Sequence, residues 1–105
     1  MIRPKFTSGR RVGTADDLKQ PGDWCLYDFG TEGQATLSFL CPCGGAGCVG
    51  DRRWVTIYVK AAPEREQGYW NWDGDRVQPT LSPSIHRKSG CGWHGYFEKG
   101  QWRTV

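Results

Sequence analysis

The stretch Cys41-Pro42-Cys43-Gly44-Gly45-Ala46-Gly47-Cys48 constrains this chain more than any other. It sets three thiols within eight residues, in a run too rich in glycine and proline to form helix or strand. Such a loop buries little apolar area, so something other than packing has to hold it. Zinc takes thiolate and imidazole ligands tetrahedrally, and a tight glycine-rich turn lets neighbouring sulfurs converge on one point. Further ligands have to come from far along the chain, and Cys91-Gly92-Trp93-His94 offers them. A C-x-C-x4-C cluster with a distant C-x-x-H matches no common finger spacing, yet its residue types predict a zinc site.

The site has one ligand to spare. Cys41, Cys43, Cys48, Cys91 and His94 are candidates for four positions. Either one cysteine is a bystander, or four sulfurs close the shell and His94 stands free beside it. The first case is a plain structural site. The second holds a histidine rigidly next to a metal cluster, where it can act as a base. The residues alone leave both open.

A chain of 105 residues has room for one domain with a modest core. Its hydrophobic content of 37 % is low for a domain stabilised by packing alone, so a bound zinc would supply stability that the core does not. Six tryptophans and fifteen glycines shift the balance towards large flat side chains and tight turns, which suits a small β-rich protein. The formal charge of +3 is mild, and opposite charges are interspersed along most of the chain. That pattern permits an acidic partner and does not demand nucleic acid, which ranks third among the readings. No apolar stretch of the secretory type opens the sequence, and no run approaches the length of a membrane span. The expectation is a cytoplasmic protein without membrane attachment, whose cysteines bind metal rather than form disulfides.

Residues 1–13 carry Arg3, Lys5, Arg10 and Arg11 with no acidic residue, and are set apart as a basic N-terminal arm: a frayed end or a first edge strand. Residues 14–105 form the single zinc-binding domain. Thr14-Ala15-Asp16-Asp17 looks like a capping box opening one helical turn that Pro21-Gly22 ends. Trp24 to Phe29 and Ala35 to Cys41 read as two strands around the turn Gly30-Thr31-Glu32-Gly33, with Leu37 and Phe39 facing the core. Cys25 stands alone in the first and reads as a small buried hydrophobe. Trp54 to Val59 is the clearest strand. After a polar connection from Ala61 to Gly68, Tyr69 to Trp72 resumes a strand that stops at Asp73-Gly74-Asp75. His94 to Glu98 and Gln101 to Thr104 read as a terminal hairpin about Lys99-Gly100. The expected fold is a small, mostly β, antiparallel and zinc-stabilised domain with little helix. Between these strands, Pro79-Thr80-Leu81-Ser82-Pro83-Ser84-Ile85-His86 has to be extended, as a connector or as an edge that presents hydroxyls.

Four of these stretches occur together in one family: Cys41-Pro42-Cys43-Gly44, Trp70-Asn71-Trp72-Asp73-Gly74, Pro79-Thr80-Leu81-Ser82-Pro83-Ser84-Ile85 and Cys91-Gly92-Trp93-His94-Gly95-Tyr96. With Gly22-Asp23-Trp24, they make residues 20–104 resemble a family of small phage and bacterial proteins. The resemblance implies a zinc-containing β-rich fold, and a place in bacterial operons for ubiquitin-like protein conjugation, where a peptidase role has been proposed. The family's usual Cys-Pro-Cys-Gly-Cys is altered here: Gly45 takes the third cysteine position and Cys48 follows an apparent insertion. Some relatives carry histidine at the position of Cys91 and keep the residue that matches His94, which suits a ligand at 91 and a separate duty at 94.

Two readings follow from the resemblance and the residues together. In the first, the chain is a small hydrolase, a peptidase acting on a ubiquitin-like protein or a similar polypeptide. Zinc held by Cys41, Cys43, Cys48 and Cys91 is structural, Ser84 or Ser82 is the nucleophile, His94 is the base, and Asp73 or Asp75 orients the imidazole. His86, beside Arg87 and Lys88, is a weaker choice of base on an exposed loop. In the second, the chain is a non-catalytic zinc module, of phage or defence origin, that binds another protein through exposed tryptophans.

Overall fold

The computed structural model describes residues 6–28, 33–43, 48, 53–61, 68–87 and 91–105. Of the features expected above, Arg3, Lys5, Lys88, residues 29–32 of the first turn, residues 44–47 of the cysteine loop and residues 62–67 of the polar connection lie outside them.

Alternation builds the centre. Strands β3 (Asp23–Asp28), β4 (Gln34–Leu40) and β5 (Trp54–Lys60) form an antiparallel meander in which Trp24, Phe39 and Val55 lie in register, as do Leu26, Leu37 and Ile57. One set of alternate residues points inward, and Leu37, Phe39, Ala35 and Val59 are fully buried. Ahead of the meander lie β1 (Phe6–Thr7), β2 (Arg10–Arg11) and a 3-10 turn, Ala15–Asp17, where the sequence suggests a helical turn. The expected capping box is not formed, because the Thr14 hydroxyl donates to the Asp17 carboxylate and caps no backbone N–H. After it come β6 (Trp70–Trp72), β7 (Leu81–Ser82), β8 (Ile85–His86), β9 (His94–Glu98) and β10 (Gln101–Thr104).

These strands form two sheets, one ordered β2-β3-β4-β5-β6-β7 and one ordered β1-β10-β9-β8. Two pairings in the larger sheet, β2 with β3 and β5 with β6, are parallel. The expected antiparallel pattern holds elsewhere. Both exceptions follow long connections, residues 12–22 and 61–69, which give the chain length to turn back before it pairs again.

Aromatic rings join the sheets. Trp24 and Phe39 of the larger sheet meet Phe97 and Trp102 of the smaller, with centroids 5.5 Å apart for Trp24–Phe97 and 4.6 Å for Phe39–Trp102. Trp93 packs edge-on against Trp102 at 5.7 Å. Each buried indole also places its N–H: Trp24 on the Gly100 carbonyl, Trp102 on the Gly22 carbonyl and Trp93 on Thr104 Oγ1. Four of the six tryptophans (Trp24, Trp72, Trp93 and Trp102) are therefore core, whereas Trp54 is 45 % exposed.

The segment expected to be extended, 79–86, is the bridge between the sheets. Leu81–Ser82 is the last strand of the larger sheet and Ile85–His86 the last of the smaller. A cis Ser82–Pro83 peptide bond lies at the crossing, and Ser84 follows it.

Candidate functional site

The first cluster is the set of thiols. Cys41 directly follows β4, where its N–H donates to the Arg53 carbonyl, and Cys43 lies in the turn beyond it. Cys91 precedes β9 at a turn closed by the Gly92 N–H on the Arg87 carbonyl. The four Sγ atoms of Cys41, Cys43, Cys48 and Cys91 all lie within 4.8 Å of one another, and those of Cys41 and Cys91 are 3.4 Å apart. A tetrahedral ion with metal–sulfur bonds of about 2.3 Å needs its sulfurs about 3.8 Å apart. The donor set fits a metal ion, and it is made of sulfur alone.

Burial pushes the Cys41 thiol far above its ordinary range and raises the Cys48 thiol too. Thiols that resist ionising by themselves are deprotonated by a bound divalent cation. Arg87 Nη1 donates to Cys48 Sγ at 2.9 Å, so a fixed positive charge already faces the cluster. Cys25 is buried apart from these four, with its thiol raised by desolvation.

His94 belongs to the second cluster. Ser84 Oγ and His94 Nε2 are 2.8 Å apart. The imidazole stacks on that of His86 with centroids 4.5 Å apart and planes 20° apart. Backbone pairing produces this arrangement. His86 and His94 are cross-strand partners in β8 and β9, and the His94 carbonyl accepts the Val105 N–H at 2.9 Å. Next to that pair, Gly95 lies against the Trp93 ring and the Arg103 carbonyl, where a Cβ would overlap both. On the serine side, the Ser84 carbonyl accepts the Trp70 indole N–H at 3.3 Å. The chemistry open to such a pair is specific: a hydroxyl hydrogen-bonded to an imidazole nitrogen can pass its proton to nitrogen as the oxygen attacks an electrophile.

The other sequence candidates lie elsewhere. Ser82 is exposed on β7, opposite Asn71 in the larger sheet. Asp73 Oδ1 accepts the N–H groups of Asp75 and Thr80, and Asp75 Oδ1 accepts those of Val77 and Gln78, so both carboxylates shape the turn after β6. Those two bonds hold the Asp75 carboxyl below its usual range. Among the described residues no carboxylate is hydrogen-bonded to the His94 ring.

Comparison with known proteins adds one finding. A family model described as the bacterial ubiquitination-like system serine protease (BubE) matches residues 12–105. The chain belongs to this family. No curated protein and no solved structure matches it. Sequence reasoning placed His86 on an exposed loop, whereas it lies exposed on strand β8, and it did not single out Arg87 as a partner of sulfur. The missed signal is the two-residue spacing of Ser84 and His86, with Ser84 directly preceding the short strand β8. Among the described residues, no helix is long and apolar enough to cross a membrane.

Proposed function

We propose that this chain is a serine peptidase of a bacterial ubiquitination-like system, cleaving a ubiquitin-like protein or a similar polypeptide tail, with Ser84 as nucleophile and His94 as general base. The observation that carries the reading is the 2.8 Å contact between Ser84 Oγ and His94 Nε2. The reaction requires Nε2 without its proton, so that it can accept the one on the hydroxyl. Ser84 Oγ attacks the scissile carbonyl carbon while its proton moves to Nε2, and the carbonyl oxygen takes the negative charge. Collapse of the tetrahedral adduct expels the amine, which takes the proton from His94 as it leaves. Water, deprotonated by the same nitrogen, then hydrolyses the acyl-serine and restores both groups.

Zinc is the metal we assign to Cys41, Cys43, Cys48 and Cys91, because an all-thiolate tetrahedral set is its usual structural site. Four sulfurs close its shell, so its part is to hold the loop and the approach to β9. A second reading, a non-catalytic protein-binding module, is favoured by the exposed aromatic residues Tyr27, Tyr58 and Trp54 on the larger sheet, 68 %, 54 % and 45 % exposed.

A fluorophosphonate probe separates the two. The peptidase reading expects covalent labelling at Ser84 that Ser84→Ala abolishes and Ser82→Ala leaves intact. His94→Gln slows it by at least ~10²-fold, with zinc content and Tm kept. Labelling lost in Ser82→Ala instead, or zinc and Tm falling together in His94→Gln, would overturn the assignment. A wild-type protein inert to the probe favours the binding module.

A further inference from the structure

A base that has to hold one nitrogen on a hydroxyl needs its ring fixed, and in serine hydrolases a carboxylate on the far nitrogen commonly does this. Here the two nearest candidates from the sequence, Asp73 and Asp75, are engaged by the backbone of their own turn. The His94 ring is hydrogen-bonded to Ser84 and stacked on the flat face of His86.

The register explains why these rings meet. The Arg87 N–H donates to the Trp93 carbonyl at 2.8 Å, which makes that pair hydrogen-bonded across the two strands. Its neighbour along the ladder, His86 with His94, is then the pair without backbone bonds. In antiparallel sheets that type of pair brings its side chains closest together. A separation of 4.5 Å and an angle of 20° leave no room for the His94 ring to turn about its Cβ–Cγ bond without displacing His86. His86 is exposed and His94 half-buried.

We infer that His86 is a positioning residue for the reaction: through ring stacking it holds the His94 imidazole with Nε2 on Ser84 Oγ, in the role usually filled by a hydrogen-bonded carboxylate. The inference rests on the reading of Ser84 and His94 as nucleophile and base. It requires of residue 86 a flat ring, and no proton transfer.

The test measures the rate of fluorophosphonate labelling at Ser84 by intact mass in the full-length, zinc-loaded protein. His86→Ala removes the ring, and His86→Phe keeps a ring that carries no proton. We expect His86→Ala to slow labelling about 10- to 100-fold, the scale on which misplacing a catalytic group acts, with Tm and zinc content unchanged. His86→Phe should return the rate to within about twofold of wild type, because the face it offers is equivalent. The His94 ring-proton resonances should lose their ring-current displacement in His86→Ala and keep it in His86→Phe. Labelling of His86→Ala at the wild-type rate would overturn the inference while leaving the nucleophile and base in place. So would a His86→Phe protein as slow as His86→Ala, which would make the imidazole a chemical participant. A His94→Gln protein labelled as fast as wild type would remove the underlying reading, and the inference with it.

Discussion

The guanidinium of Arg87 donates to the Sγ of Cys48 at 2.9 Å, while its backbone N–H and carbonyl bond Trp93 and Gly92. One residue thus ties the thiol cluster to the β8–β9 hairpin that carries His86 and His94. A cation on a ligating sulfur offsets the charge that four thiolates place around one ion, and such outer partners typically account for 10- to 100-fold in metal affinity.

Arg87→Met keeps the aliphatic length and removes the charge. The zinc-loaded variant should release its ion to a chromophoric chelator roughly 10- to 100-fold faster than wild type, with a native strand signature by circular dichroism before release. An unchanged release rate would show that the contact is incidental.

Cys48 and Cys25 are both buried thiols, and only Cys48 lies in the four-sulfur group. Cys48→Ser should lower zinc stoichiometry below one per chain and destabilise the domain by several kcal/mol, since the metal's binding free energy contributes directly to folding. Cys25→Ser should keep the zinc and cost about 1–3 kcal/mol, the penalty for a hydroxyl in an apolar site. Elemental analysis beside thermal melts reads both. Equal, mild losses would remove Cys48 from the ligand set.

The contrast between those two cysteines shows what could be read in advance. Cys41, Cys43 and Cys48 are grouped in a glycine–proline stretch with no strand or helix period to account for their burial, so their chemistry is visible in one dimension. Cys25 lies in an alternating strand, where burial accounts for it. Leu37 and Phe39 were legible for the same reason: period two marks a face. Period two does not name the strand opposite. Pairing is settled by which edges remain open, and β7 and β8, two residues each and separated by Pro83, carry too little pattern to declare that they end different sheets. His86 was placed on a loop rather than a strand on that account. Its charged neighbours in sequence suggested a loop, whereas its neighbour in space is His94.

Asp23 predicts how the fold responds to acid. Its carboxylate is 1 % exposed and takes Nε and Nη2 of Arg10 together with the N–H groups of Lys19 and Gln20. The Arg10 hydrogen bond, followed by the backbone bonds and against the opposing cost of burial, holds its pKa down to about 2. In the unfolded chain an aspartate titrates near ~3.9. The native state therefore binds this proton less readily, and the stabilisation is fully present above about pH 4 and lost as pH falls towards about 2, roughly 2 kcal/mol in all. Asp23→Asn lacks this titration. The gap in urea midpoint between wild type and Asp23→Asn should be constant from pH 7 to about 5 and shrink between about 4 and 2. Zinc loss at low pH affects both proteins and drops out of the difference. A gap that persists at pH 2 would mean that Asp23 contributes by shape rather than charge.

Gly95 marks how tightly the hairpin around His94 is built. Its backbone is ordinary, so the demand for glycine there is steric. An added Cβ would overlap the Arg103 carbonyl and two atoms of the Trp93 ring. That ring cannot retreat, because Trp93 is fully buried, packed on Trp102, with its N–H on Thr104. Relief has to come from β9 moving away from β10, which carries the adjacent His94 with it. Gly95→Ala should destabilise the domain by about 1–3 kcal/mol, the usual range for overpacking, and lower Tm by roughly 4–8 °C for each kcal/mol. Gly13→Ala is the control. Its Cβ would meet only the Asp17 carboxylate, 3.7 Å away, so the change should leave Tm within a few degrees of wild type or raise it slightly. Labelling of Ser84 in Gly95→Ala should also slow at temperatures where the protein is still folded, because the displaced strand carries the base. If Gly95→Ala melts with Gly13→Ala, β9 yields more easily than this packing allows, and the rigidity ascribed to His94 has to come from His86 alone.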